Sequence, residues 1–135
     1  MTTYYPLYSD FSVKPLSVIN EDFENITLTY KTKDIYLLEV GYPSNITLES
    51  SNSTQAAFIE EIFKQWNLYA NRIKLINICW LHDRTKADVN DFCNYYGIFD
   101  EKFKAHLGSL GIRTSYDKDK ELYLKLVEMA NKNGW

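Results

Sequence analysis

Glu39 is the residue in this sequence best suited to do chemistry. It closes the apolar run Ile35-Tyr36-Leu37-Leu38 and precedes Val40-Gly41-Tyr42-Pro43. A carboxylate at the end of a hydrophobic strand is partly desolvated and held on a rigid element, as a nucleophile or general base requires. The plain alternative is a strand-end glutamate in solvent or in a salt bridge. Two further strand ends carry suitable groups. Tyr4 and Tyr5 stand before Pro6, while Trp80, His82 and Asp83 end or follow a second apolar run, Ile73 to Trp80, interrupted by Lys74 and Asn77. Aromatic residues make up 16% of the chain, with 11 Tyr, 7 Phe and 3 Trp, and several fall at strand ends. Such rings suit stacking against a flat ligand such as a sugar, although a tyrosine-rich core or simple packing of Trp80 accounts for the same residues. His82 and Asp83 can contact hydroxyl groups or anchor a loop. A metal site built on them lacks further ligands at suitable spacing, and no cofactor is expected.

The elements that must position these groups follow from periodicity. Tyr4, Tyr5 and Pro6 end a short strand, and residues 9–14 are polar, as in a loop. Ile19, Phe23, Ile26 and Tyr30 give one apolar helical face after Pro15. Ile35 to Leu38 reads as a strand buried on both faces, broken by Gly41 and Pro43. Asn52 and Gln55 mark a helix start, and Phe58, Ile59, Ile62, Phe63, Trp66 and Tyr69 keep helical spacing. Ile73 to Trp80 reads as another buried strand. Thr85 with Asp88 caps a short helix that Gly97 closes, and Phe99, Phe103 and Leu107 predict another turn or two. After an insertion, Leu122, Tyr123, Leu126, Met129 and Ala130 line a final helix. Strands alternating with helices are the grammar of parallel βα units, in either an open doubly wound sheet or an arc of a closed barrel. No glycine-rich phosphate loop follows any strand, which weakens a nucleotide-binding reading.

A length of 135 residues fits one domain spanning 1–135. A net charge of -3, with scattered lysines, gives no face to neutralise phosphates, so no nucleic acid partner is expected. No apolar stretch approaches the roughly 20 residues that span a bilayer, and Met1 to Pro6 lacks the regions of a signal peptide. No membrane partner is expected, and localisation is left open, as are the sequons at Asn25, Asn45 and Asn52. Cys79 and Cys93 read as free buried thiols.

The stretches Thr3-Tyr4-Tyr5-Pro6-Leu7, Leu38-Glu39-Val40-Gly41-Tyr42-Pro43-Ser44 and Ile78-Cys79-Trp80-Leu81-His82-Asp83 resemble the ends of strands six, seven and eight of clan A glycoside hydrolases. They are most similar to family 53, the arabinogalactan endo-β-1,4-galactanases, and its uncharacterised bacterial relatives. The segment Leu107-Gly108-Ser109-Leu110-Gly111-Ile112-Arg113 resembles the tail of such sequences. The resemblance implies an α/β fold made of the C-terminal βα units of a (β/α)₈ TIM barrel, present as a partial barrel. It also implies a retaining reaction on a β-linked, galactan-like polysaccharide, with Glu39 as nucleophile. Tyr5, or Tyr4, would hydrogen-bond the nucleophile or the sugar, Trp80 would floor the subsite of the reacting ring, and His82 and Asp83 would contact hydroxyls. A retaining pair needs two carboxyl groups about 5 Å apart. The family's acid/base glutamate at the end of strand four has no counterpart here, so the isolated chain is expected to be inactive. Open sheet edges further imply self-association or assembly. Two other readings are a non-catalytic carbohydrate-binding or interaction module, and a small doubly wound domain using Cys79 or His82.

Overall fold

The computed structural model describes residues 2–134. Three parallel strands, β1 (Thr2–Tyr4), β2 (Ile35–Val40) and β3 (Ile73–Ile78), form an open sheet in the order β1-β2-β3. They alternate with the helices α1 (Val18–Thr29), α2 (Asn52–Leu68), α3 (Lys86–Tyr96), α4 (Glu101–Leu107) and α5 (Glu121–Lys132). The fold is therefore α/β with a parallel sheet that does not close into a barrel.

One face of the sheet holds the main core. Tyr4, Leu37, Val40 and Ile76 pack there against Ile19 and Phe23 of α1, Phe58, Ile59 and Ile62 of α2, and Leu122 and Met129 of α5. Each fully buried Phe or Ile contributes on the order of 1.5–3 kcal/mol, which fixes α2 on the sheet. Among the described residues, no helix packs on the other face of the strands. β2 turns Ile35, Leu37 and Val40 inward and leaves Tyr36, Leu38 and Glu39 exposed, its alternation broken at Leu38-Glu39, where the register with β3 shifts. In β3, Leu75 and Asn77 are likewise exposed. The expectation that both strands are buried on both faces is thus corrected. Period-2 alternation turns every second side chain away from the helices, and Tyr36, Leu38 and Leu75 are apolar without being covered.

Local sequence explains most element ends. Thr85 and Asp88 form a reciprocal capping box, and Gly97 takes the left-handed conformation that closes α3. Asp100 caps α4 through the amides of Lys102 and Phe103. At α2 the cap is Ser51, whose hydroxyl accepts the Thr54 amide at 3.1 Å. Gln55, read from the sequence as part of the start signal, instead turns inward. Its fully buried amide donates to the carbonyls of Tyr42 at 2.6 Å and Ser109 at 3.0 Å, tying α2 to the loops beyond the strands.

Residues 108–120 do not form a detached insertion. The Ile112 and Arg113 amides donate to the carbonyls of Trp80 and Leu81, and the Asp83 amide donates to the Arg113 carbonyl. The segment thus pairs with the chain just beyond the end of β3. Gly111 permits this approach, because a Cβ there would lie 2.0 Å from the Asp83 nitrogen and 2.3 Å from the His82 carbonyl carbon.

Candidate functional site at the strand ends

The C-terminal ends of the three strands are aligned by the ladder itself. The Gly41 amide donates to the Tyr4 carbonyl at 3.3 Å, and the Cys79 amide donates to the Val40 carbonyl at 2.9 Å. Side-chain alternation then sorts the two N-terminal tyrosines. Tyr4 points into the helix-covered core, where its ring meets Phe23 edge-on at 5.3 Å and its hydroxyl donates to Asp22 at 2.9 Å. Tyr5 takes the opposite direction, and its hydroxyl donates to Glu39 Oε2 at 3.1 Å. The structure therefore brings Tyr5 to Glu39 and leaves Tyr4 on the far side of the sheet.

The Tyr5 ring is confined on two sides. A Cβ on Gly41 would lie 2.9 Å from its Cε1 and 2.8 Å from the Cys79 carbonyl oxygen, so only glycine lets the ring reach the carboxylate without displacement. His106 of α4 meets the ring edge-on at 5.7 Å. Burial, reinforced by the Glu39 charge, raises the Tyr5 hydroxyl well above its usual pKa and keeps it a donor. Burial and the same carboxylate also raise the Cys79 thiol. A nucleophilic cysteine needs the opposite shift.

Replacing Tyr5 by Phe removes a hydrogen bond to a carboxylate while keeping the ring. Such bonds contribute about 1.5–3 kcal/mol, so a chemical step that uses Glu39 is expected to slow by roughly 10- to 100-fold. Assays of the variant in a catalytically complete assembly check this, and an unchanged rate would remove Tyr5 from the site.

His106 makes the same region sensitive to acid. The ring is buried, with Nδ1 unpartnered, and burial pushes its pKa from 6.5 down to about 4. Between these values the unfolded chain binds the extra proton and the folded chain does not. The contribution of His106 to stability is therefore fully present above pH 6.5 and is lost as pH falls toward 4, by on the order of 3 kcal/mol. The His106→Leu variant should lose this component of the decline. Denaturant midpoints with the same pH slope in both proteins would contradict the assignment.

Trp80 lies beside the strand end, joined to Cys79 by a cis peptide bond. Its ring stacks near-parallel on Phe92 at 6.0 Å, and the Arg84 guanidinium lies 4.4 Å from its centroid. His82 and Asp83 both bond to the 108–120 segment. His82 Nε2 is 2.9 Å from Asp117 Oδ1, which also accepts from Arg113. Asp83 accepts the Gly111 amide at 2.8 Å and Lys120 Nζ at 3.0 Å. This is the loop-anchoring arrangement that the sequence left open beside sugar contact. Asp10, in the loop after β1, is held by Ser12 and Lys102.

Sequence reasoning missed three cations, Arg84, Lys86 and Lys104, which line a cleft between the loops that follow β2 and β3. They are separated along the chain, and the only available signal was the position of Arg84 directly after His82-Asp83 at a strand end. Among the described residues, no three His, Cys, Asp or Glu side chains gather to hold a metal ion, and no helix is long and apolar enough to cross a membrane.

Fold and site together define an α/β parallel-sheet protein with a tyrosine–glutamate pair at adjoining strand ends. No protein-family model matches the chain, and no curated protein matches it in sequence.

Proposed function

We propose that this chain forms three consecutive βα units, strands six to eight, of a retaining (β/α)₈-barrel glycoside hydrolase acting on a β-linked, galactan-like polysaccharide. The observation that carries the reading is the 3.1 Å hydrogen bond from Tyr5 to Glu39, made at the strand ends, where α4 meets the Tyr5 ring and the exposed sheet face begins. In such barrels the helices lie outside, the bare strand faces turn to the axis, and chemistry sits at the C-terminal strand ends. A three-stranded arc with helices on one face only, and a carboxylate at the end of its middle strand, fits that plan.

In this reading Glu39 attacks the anomeric carbon and forms a glycosyl-enzyme ester. An acid/base carboxyl group on another strand protonates the departing oxygen, then activates the water that hydrolyses the ester. Tyr5 orients the Glu39 carboxylate by its hydrogen bond, and Trp80 borders the subsite. Asp83 serves the loop, since its carboxylate accepts from Gly111 and Lys120. The three units alone do not turn over substrate, because they supply one carboxylate of the pair. The partly exposed Tyr36, Leu38 and Leu75 favour assembly: covering the two-fifths of each that is still open contributes about 1 kcal/mol. The outer edges of β1 and β3 are where further strands, or a second copy, join.

The test combines this chain with a polypeptide supplying the five preceding βα units of a galactanase-type barrel. The expected result is hydrolysis of β-1,4-galactan with the β-anomer as first product, followed by NMR. Folded assembly without turnover, or formation of the α-anomer, would refute the retaining assignment.

A further inference from the structure

The cleft of about 550 Å³ between the loops after β2 and β3 opens at the same end of the sheet as Glu39. Its lining includes Arg84, Lys86 and Lys104, with Asn45 and Asn90 as neutral hydrogen-bonding groups, and Glu101 as its carboxylate. Lys104 is committed to Glu101 at 2.6 Å. Arg84 and Lys86 make no ion pair among the described residues, so the cleft keeps an excess of positive charge in a chain of net charge -3.

Arg84 is also held in place. Its guanidinium carbon lies over the Trp80 ring, 4.4 Å from the centroid, and 5.5 Å from that of Phe92, a cation–π contact that limits where the head group can go. A guanidinium is a planar fork suited to a carboxylate, whereas a lysine acts as a point charge. The cleft has room for a sugar unit, far more than one small anion needs, and its amides suit ring hydroxyls.

We propose that this cleft is a subsite for a carboxylate-bearing sugar of an acidic β-linked polysaccharide, with Arg84 and Lys86 recognising the carboxylate. The assignment to a sugar rests on the glycoside hydrolase reading above. It makes the substrate a galactan-like chain carrying uronate units, and places the charged unit beside Trp80.

Titration of the 135-residue chain by NMR tests this, with β-1,4-linked trigalacturonate (the C6-oxidised form of β-1,4-galactotriose), neutral β-1,4-galactotriose and inorganic phosphate as separate probes. Trigalacturonate should bind, with affinity falling as salt is raised, and should shift amides of the loops after β2 and β3. Loss of the charge on Arg84 or reversal of that on Lys86, in Arg84→Gln and Lys86→Glu, should each weaken it by about tenfold or more. Lys86→Glu should stay folded, because an acidic residue suits the first turn of α3. Absence of trigalacturonate binding, equal binding of galactotriose, or binding indifferent to both substitutions would overturn the proposal. Phosphate binding as tightly as trigalacturonate would overturn the sugar assignment. Binding requires no turnover, so a negative result leaves Glu39 chemistry standing, and failed galactan hydrolysis leaves the affinity of the cleft standing.

Discussion

Glu39→Gln is expected to abolish hydrolysis in the completed barrel, lowering turnover by about 10⁴-fold or more, the scale seen when a covalent nucleophile is removed. The amide keeps the size of the side chain and can still meet the Tyr5 hydroxyl, which now lies 3.1 Å from Oε2. Its oxygen carries no full negative charge and cannot form the ester intermediate. Glu39 is exposed at the end of β2, so the substitution places no new polar group in the core and stability should hold. The variant thus separates chemistry from folding: full activity in a folded Glu39→Gln assembly would exclude the nucleophile role. Polysaccharide binding that persists without turnover is the expected companion result.

The second large effect is structural. Lys120→Met should destabilise the chain by about 3–5 kcal/mol, because it leaves the Asp83 carboxylate buried without its cation. Lys120 Nζ lies 3.0 Å from Asp83 Oδ1 and 3.1 Å from the Ser109 carbonyl, and the lysine side chain is almost fully buried. Burial works against both charges, raising the Asp83 carboxyl and lowering the Lys120 ammonium. The pair is therefore costly to break rather than intrinsically strong. The double variant Asp83→Leu with Lys120→Met should recover part of the loss, since replacing a whole buried pair by apolar groups is often neutral. Equilibrium denaturation of the three proteins checks this, and a single variant as stable as the parent would show that residues 108–120 are anchored by other contacts.

The parallel βα plan could be read from the chain because each strand is an apolar run ended by turn-forming residues. The Thr85–Asp88 capping box and the closing Gly97 likewise act over four or fewer residues, within reach of local pattern. The one-sided burial of the sheet could not be read this way. Tyr36, Leu38 and Leu75 are as apolar as their buried neighbours, so the alternation that marks a half-covered strand is hidden when both faces carry hydrophobic side chains. Gln55 misled for a related reason: its spacing from Asn52 imitates a capping signal, while its partners, Tyr42 and Ser109, lie far away in sequence.

At the site, strand alternation separates Tyr4 from Tyr5, but the sequence could not choose between them before the direction of β1 was known. In the structure it is Tyr5 whose hydroxyl reaches Glu39. The anchoring of His82 and Asp83 depends on Asp117, Gly111 and Lys120, which only tertiary folding brings near. The basic cleft shows the same limit. Lysines that look scattered along the chain are gathered where α3 and α4 meet the loop after β2.

The most direct test of the central claim is covalent trapping. The completed barrel is treated with a 2-deoxy-2-fluoro-β-galactoside bearing a good leaving group, and the proteolysed protein is read by mass spectrometry. The fluorine slows both formation and breakdown of the glycosyl ester, the good leaving group restores its formation, and the ester therefore accumulates on the nucleophile. The account predicts one fluorosugar on the peptide containing Glu39, with none in Glu39→Gln. A label on another carboxylate, or turnover that continues with no label on Glu39, would contradict it.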